Sequence, residues 1–111
     1  MKKIEAFIRS ESLNDVISKL QSMGLKELNI LEVKNFNTDL VVLKEKEETK
    51  IKFTPKTKIE FVVNYTEVDK FVEAVKNKAQ TGKSGDGKIY ISDVENSVKI
   101  STGEEGVKAI A

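Results

Sequence analysis

The sequence predicts an α+β sandwich in the order βαββαβ: an antiparallel sheet with two helices on one face and a long loop between two strand–helix–strand units. Three observations carry that expectation. A strand pattern followed by a helix pattern occurs twice, cap-type residues precede each helix at a fixed spacing, and glycine-bearing turns follow both helices. In residues 3–9, Ile4, Ala6 and Ile8 alternate with Lys3, Glu5, Phe7 and Arg9, which is a strand with one apolar face. Ser12 with Asp15 has the capping-box spacing, and Leu13, Val16, Ile17 and Leu20 then fall on one helical face. Gly24 ends that helix, and a second strand is expected over about 26–34.

The second half repeats the order. Ile59, Phe61 and Val63 alternate with Glu60, Val62 and Asn64. Thr66 with Asp69 repeats the cap spacing, and Val68, Phe71, Val72 and Val75 repeat the helical face. Beyond a glycine-rich turn, Ile89 and Ile91 mark another strand, and a short segment at 98–101 follows. Two such units in tandem form the ferredoxin-like split β-α-β fold, in one domain spanning 1–111. Helices cover one sheet face in that fold, so Phe7, Val62 and Tyr90 on the other face call for a cover, and self-association is the simplest.

Composition narrows the function classes. Nineteen basic residues stand against 18 acidic ones, interleaved as on a solvated surface, and no basic stripe marks a nucleic-acid binder. There is no cysteine and no histidine. Disulfides and thiolate metal sites are excluded, and the commonest general base is missing. No catalytic constellation is found, no metal site is assigned, and an enzyme is not expected. The opening residues read as a strand rather than a signal peptide, and no run is long enough to span a membrane. A soluble cytoplasmic protein without direct membrane insertion is the expectation.

Two segments stand apart. Residues 35–54 form an unusually long connection, in which Leu40 to Leu43 and Ile51 to Phe53 flank the charged run from Lys44 to Lys50. Two apolar arms and a charged tip suggest a protruding hairpin that engages a partner, with Leu40, Val42, Lys44, Glu47 and Lys50 as its contact residues. Pro55 marks the return to the core. The second segment, Thr81-Gly82-Lys83-Ser84-Gly85-Asp86-Gly87-Lys88, holds three of the six glycines. Glycines let backbone N–H groups approach an anion, and lysine neutralises phosphate charge. Gly82-Lys83-Ser84 is not a Walker A loop. Asn77 occupies the position that needs the first glycine, and the loop runs helix to strand rather than strand to helix.

The run from Ala79 to Ile89 resembles the hallmark of the PII signal-transduction family. Met1-Lys2-Lys3-Ile4-Glu5-Ala6, Glu32-Val33-Lys34, Pro55-Lys56, the run from Lys58 to Val63 and Thr102-Gly103-Glu104-Glu105 also resemble that family, in its order and over essentially the whole chain. The resemblance implies a homotrimer with adenine-nucleotide sites between subunits. A long loop, the T-loop, at about 35–54 would engage a target enzyme or membrane transporter. Carried over residue by residue, Gly85, Asp86, Gly87 and Lys88 cradle the phosphates, while Glu60 and Val62 hold the adenine. Phe7 and Asn29 are neighbouring contacts, and Asn35, Asn37 and Thr38 stand at the loop's opening.

Lys99 and Ser101 stand where the family has two arginines that reach the phosphates across the subunit boundary. Lys56 matches the lysine that pairs with 2-oxoglutarate, and Asp39 stands where the family's magnesium-ligating glutamine does. Asn35 and Asn37 replace glycines, and the loop has no tyrosine to accept a uridylyl group. These departures point away from the nitrogen-sensing type and toward a PII-like paralogue, for which ATP or ADP, with or without magnesium, is the expected regulatory ligand. They leave open a PII-like sensor of bicarbonate with ADP or of a cyclic dinucleotide, and a slow phosphatase built on Asp39 or Asp86.

Overall fold

The computed structural model describes residues 1–37, 43–45, 48–50 and 53–111. Its main sheet has four strands, β1 (Lys2–Ile8), β2 (Asn29–Asn35), β5 (Thr54–Val63) and β6 (Lys88–Asp93), in the order β2-β5-β1-β6 with every neighbour antiparallel. Helices α1 (Leu13–Ser22) and α2 (Val68–Ala79) pack on one face, which is the ferredoxin-like arrangement the periodicity predicts. A separate two-stranded ribbon, β3 (Leu43–Glu45) and β4 (Glu48–Lys50), pairs Leu43 with Lys50 and Glu45 with Glu48. The connection between the two units therefore does carry a hairpin. A single turn of helix, α3 (Val107–Ile110), closes the chain.

The core follows from the two-residue period. In β1, Ile4, Ala6 and Ile8 are at most 2% exposed, and in β5 Ile59, Phe61 and Val63 share their face. Val16 and Leu20 of α1, and Phe71, Ala74 and Val75 of α2, fill the space above them. The Phe61 and Phe71 rings meet edge to face at 5.7 Å. Helix α1 ends in a Schellman motif: Gly24, at φ 94°, donates its N–H to Gln21 O and Leu25 donates to Leu20 O. That ending turns the chain back toward the β2 edge and packs Leu25 on the core.

Three local expectations change. Ser12 makes no side-chain cap, because a 3-10 turn, Ser10–Ser12, leads into α1 and Ser12 is already helical at φ −84°, ψ −10°. At the second helix the capping residue is Asn64 rather than Thr66. Its side-chain oxygen accepts from Thr66 N at 3.2 Å and starts the 3-10 turn Tyr65–Glu67 ahead of α2. The second strand begins at Asn29, three residues later than expected. Residues 98–101 form a turn that a lone bridge, Val98 to Glu105, pins to the C-terminal segment.

Phe71 is 2% exposed and sits at the centre of that core. Phe71→Ala is expected to lower unfolding free energy by about 3–5 kcal/mol in urea titrations at fixed protein concentration. A loss under about 1 kcal/mol would show that the Phe61–Phe71 contact does not organise the core.

Candidate functional site

The glycine-rich loop runs from the end of α2 to the start of β6, across the end of β1. Its descent is fixed at Gly87, whose φ is +99°. A Cβ there would lie 1.7 Å from the Phe7 carbonyl oxygen, so no other residue lets the loop pass this close to β1. Lys88 then pairs with Phe7 in the β1–β6 ladder.

Asp86 organises the loop from within. One carboxylate oxygen accepts from Thr81 N and from Gly82 N, each at 2.9 Å. The other accepts from the Thr81 hydroxyl and from Arg9 Nε. The Thr81 hydroxyl and N–H, then Arg9 and the Gly82 N–H, hold the Asp86 carboxyl down at about 2, below its ordinary 3.8. Asp86 is therefore ionised at neutral pH, and its side chain is committed to the loop. What the loop offers a ligand is backbone and lysine.

Arg9 Nη2 donates to Ser84 O at 2.7 Å, and the nearly buried Lys56 donates to Gly85 O. Two cations rooted in the sheet thus grip two successive carbonyls of the loop. Sequence reasoning missed Arg9, whose alternation marks it only as a charge at the outer end of β1. It also missed the organising role of Thr81.

Around this loop lies a cleft of about 640 Å³ that takes in Phe7, Asn35, Asn37, Lys56, Gly85, Asp86, Gly87 and Lys88 from the sequence-derived set. Phe36, Lys83 and Tyr90 complete it. Three lysines face one carboxylate, and that carboxylate is already paired, so the cleft suits an anion. Phe7 and Tyr90 form an edge-to-face pair at 5.9 Å on its wall, which offers apolar surface beside the charge.

The other expected contacts, Asn29, Glu60, Val62, Lys99 and Ser101, line a second cleft of about 650 Å³. The two clefts share no lining residue. Asn29 pairs with Glu60 in the β2–β5 ladder, and its amide nitrogen lies 3.4 Å from Glu60 Oε1. Lys58 Nζ sits 2.9 Å from Glu5 and 3.1 Å from Glu60, with Lys3 at 3.6 Å and 3.5 Å from the same carboxylates. Chiefly through Lys58, both carboxyls are held below the ordinary range, and Lys58 is raised in return. Glu60 is thus a fixed anion with acceptor capacity. Thr38, Asp39, Leu40, Val42 and Glu47 lie outside the described residues. Lys44 and Lys50 lie on the paired strands β3 and β4.

Comparison with known proteins places these clefts in context. The family model described as nitrogen regulatory protein P-II matches residues 1–104. A protein named nitrogen regulatory protein P-II from Pasteurella multocida is 43% identical over 112 aligned positions, covering 99% of this chain and all of that one. One of the same name from Bradyrhizobium diazoefficiens is 40% identical with the same coverage. Nitrogen regulatory protein P-II 2 from Methanothermobacter thermautotrophicus is 43% identical over 99% of this chain and 97% of its own.

The Asp86 geometry gives a pH dependence with a definite sign. Its folded pKa, about 2, lies below the ordinary 3.8, so its stabilisation is complete above about pH 4 and disappears as pH falls toward 2. Thermal melts of wild type and Asp86→Asn should converge across that acid window, with the variant showing the shallower pH dependence. Parallel curves would mean that the carboxylate does not hold the loop.

Proposed function

The chain belongs to the nitrogen regulatory P-II family, and from that premise we propose that it is a signal-transduction regulator whose state is set by an adenine nucleotide, ATP or ADP. The supporting observation is the pairing of a lysine-rich anion cleft with a second cleft that carries Glu60, Asn29 and Val62 and shares none of its residues. The first suits phosphates, through the Gly85–Lys88 backbone and the Lys88 ammonium. The second suits a base, with Glu60 accepting from an exocyclic amine beside the apolar Val62. Lys99 and Ser101 bring one positive charge and a hydroxyl to the same ligand.

One nucleotide uses both clefts when a second copy supplies the second cleft. Each copy then gives one cleft and receives another, either reciprocally in a two-fold pair or head to tail around a ring. The homotrimer is the head-to-tail ring that the family resemblance implies. Its formation would cover the helix-free sheet face, where Tyr90 is 54% and Leu31 43% exposed. The β3–β4 hairpin would then be the element that meets a target enzyme or transporter. Its state is coupled to the ligand through Asn35 and Phe36 at the cleft's edge.

Lys56 bears on the effector. Its ammonium already donates to the Gly85 carbonyl, so a dicarboxylate such as 2-oxoglutarate would share Lys56 with the loop. A nucleotide without 2-oxoglutarate is the favoured reading, because Asp39, an acid, stands where the family's magnesium-ligating glutamine would help recruit a dicarboxylate. The phosphatase alternative gains nothing from Asp86, whose oxygens are committed to Thr81, Gly82 and Arg9.

Calorimetric titration with ATP, ADP and AMP, with and without magnesium and 2-oxoglutarate, tests the proposal. Lys88→Ala should weaken nucleotide binding at least about tenfold. Its sedimentation equilibrium should stay at three times the 12.4 kDa chain mass. Undiminished affinity in Lys88→Ala would remove the cleft assignment, and no binding of any nucleotide by wild type would remove the adenine reading altogether.

A further inference from the structure

We propose that Arg9 is a positioning residue for the anion loop: from the outer end of β1 it grips the Ser84 carbonyl and the Asp86 carboxylate together, and so fixes which way the loop presents its N–H donors before any ligand arrives. The inference rests on the nucleotide reading above for what the loop binds, but not for how the loop is held.

The argument begins with the loop's intrinsic freedom. Gly82, Gly85 and Gly87 all take positive φ, and a chain with three such glycines has many conformations to lose on binding. Only external ties can hold its tip in one shape. Asp86 ties the entrance through Thr81 and Gly82, and the close approach to Phe7 ties the exit at Gly87. The apex, Ser84 and Gly85, is held by two side chains from the sheet: Arg9 on one carbonyl and Lys56 on the next.

The orientation follows from peptide geometry. In a planar trans peptide the carbonyl and the N–H of the following residue point in opposite directions. Arg9 draws the Ser84 carbonyl toward itself at 2.7 Å, so the Gly85 N–H is turned away from Arg9. Gly85 lines the anion cleft and Arg9 does not, so that donor is left for the cleft's occupant.

Arginine alone suits the task. The planar guanidinium places Nε 3.2 Å from Asp86 and Nη2 on Ser84, two donors at a fixed spacing in one rigid group, whereas a lysine ammonium would have to reach both acceptors from a single atom. Arg9 is not spent on the ligand, and it acts through the loop. Its effect is preorganisation, in which the entropy of ordering the apex is met before binding.

The experiment compares wild type, Arg9→Gln, Arg9→Lys, Asp86→Asn and the Arg9→Gln/Asp86→Asn double variant, each first shown to keep its fold by circular dichroism. Without ligand, the backbone amide of Gly85 should lose order in Arg9→Gln, read as a fall in its heteronuclear NOE. The Asp86 carboxyl carbon should also titrate above its wild-type midpoint of about 2. Arg9→Lys should keep the carboxyl midpoint near wild type yet lose the Gly85 order. With ADP or ATP as the probe, Arg9→Gln should bind about tenfold more weakly, the worth of a hydrogen bond to a charged group. The double variant should lose less than the sum of the two single losses.

An unchanged Gly85 amide in Arg9→Gln, or strictly additive losses, overturns the proposal. Should wild type bind no nucleotide, the functional reading fails, while the ligand-free Gly85 and Asp86 signals still decide the role of Arg9.

Discussion

β1 runs between β5 and β6, so its backbone is paired on both edges and its side chains must satisfy both faces of the sheet. That double demand constrains the rest of the molecule. Ile4, Ala6 and Ile8 must point at α1 and α2, and a slip of one residue would send them out and bring Glu5 into the core. Once the register is set, everything carried by the opposite parity is placed as well. Glu5 meets Lys58 and Lys3, Phe7 meets Tyr90, and Arg9 arrives beneath the loop that follows α2. Even the Phe7 carbonyl acts, by leaving space at Gly87 for no side chain.

The fold was legible because its determinants are local and periodic. Alternation in 3–9 and 59–63, and i, i+3, i+4, i+7 spacing in both helices, need no knowledge of distant partners. The composition of the loop was legible for the same reason, since glycines and lysines lie together in one short run. Arg9 was not, because its partners are 75 and 77 residues away and its position reads as an ordinary solvent-facing charge. Of the four bonds to Asp86 only the one from Arg9 spans that distance; the other three come from Thr81 and Gly82 within the same loop, where residue types alone do not show the pairing. Ser12 and Thr66 misled for a different reason. A capping box presumes direct entry into α-helix, whereas both helices begin through a 3-10 turn that moves the cap upstream or dispenses with it. Nor could a linear list reveal that Asn29, Glu60, Val62, Lys99 and Ser101 lie in a cleft apart from Gly85 and Lys88. That separation is a property of topology, which only the paired strands reveal.

The helix-free face carries a second lesson about charge. Lys58 stands between Glu5 and Glu60, and its ammonium also lies 5.8 Å from the Phe7 ring. Exposed pairs of this kind contribute little to stability. Their effect is on geometry: a carboxylate held by Lys58, Lys3 and Asn29 has few rotamers left, so Glu60 faces its cleft in one pose.

The ion pairs have one more consequence, for what the molecule ignores. Among the described residues, Glu5, Glu60, Asp86 and Asp93 are pushed toward acid and Lys58 toward base, each away from neutrality. The chain has no histidine, the one side chain whose ordinary titration falls near neutrality. Those five groups therefore keep their charge while the acidity of the surroundings drifts across the physiological range. At those five positions the surface is deaf to protons.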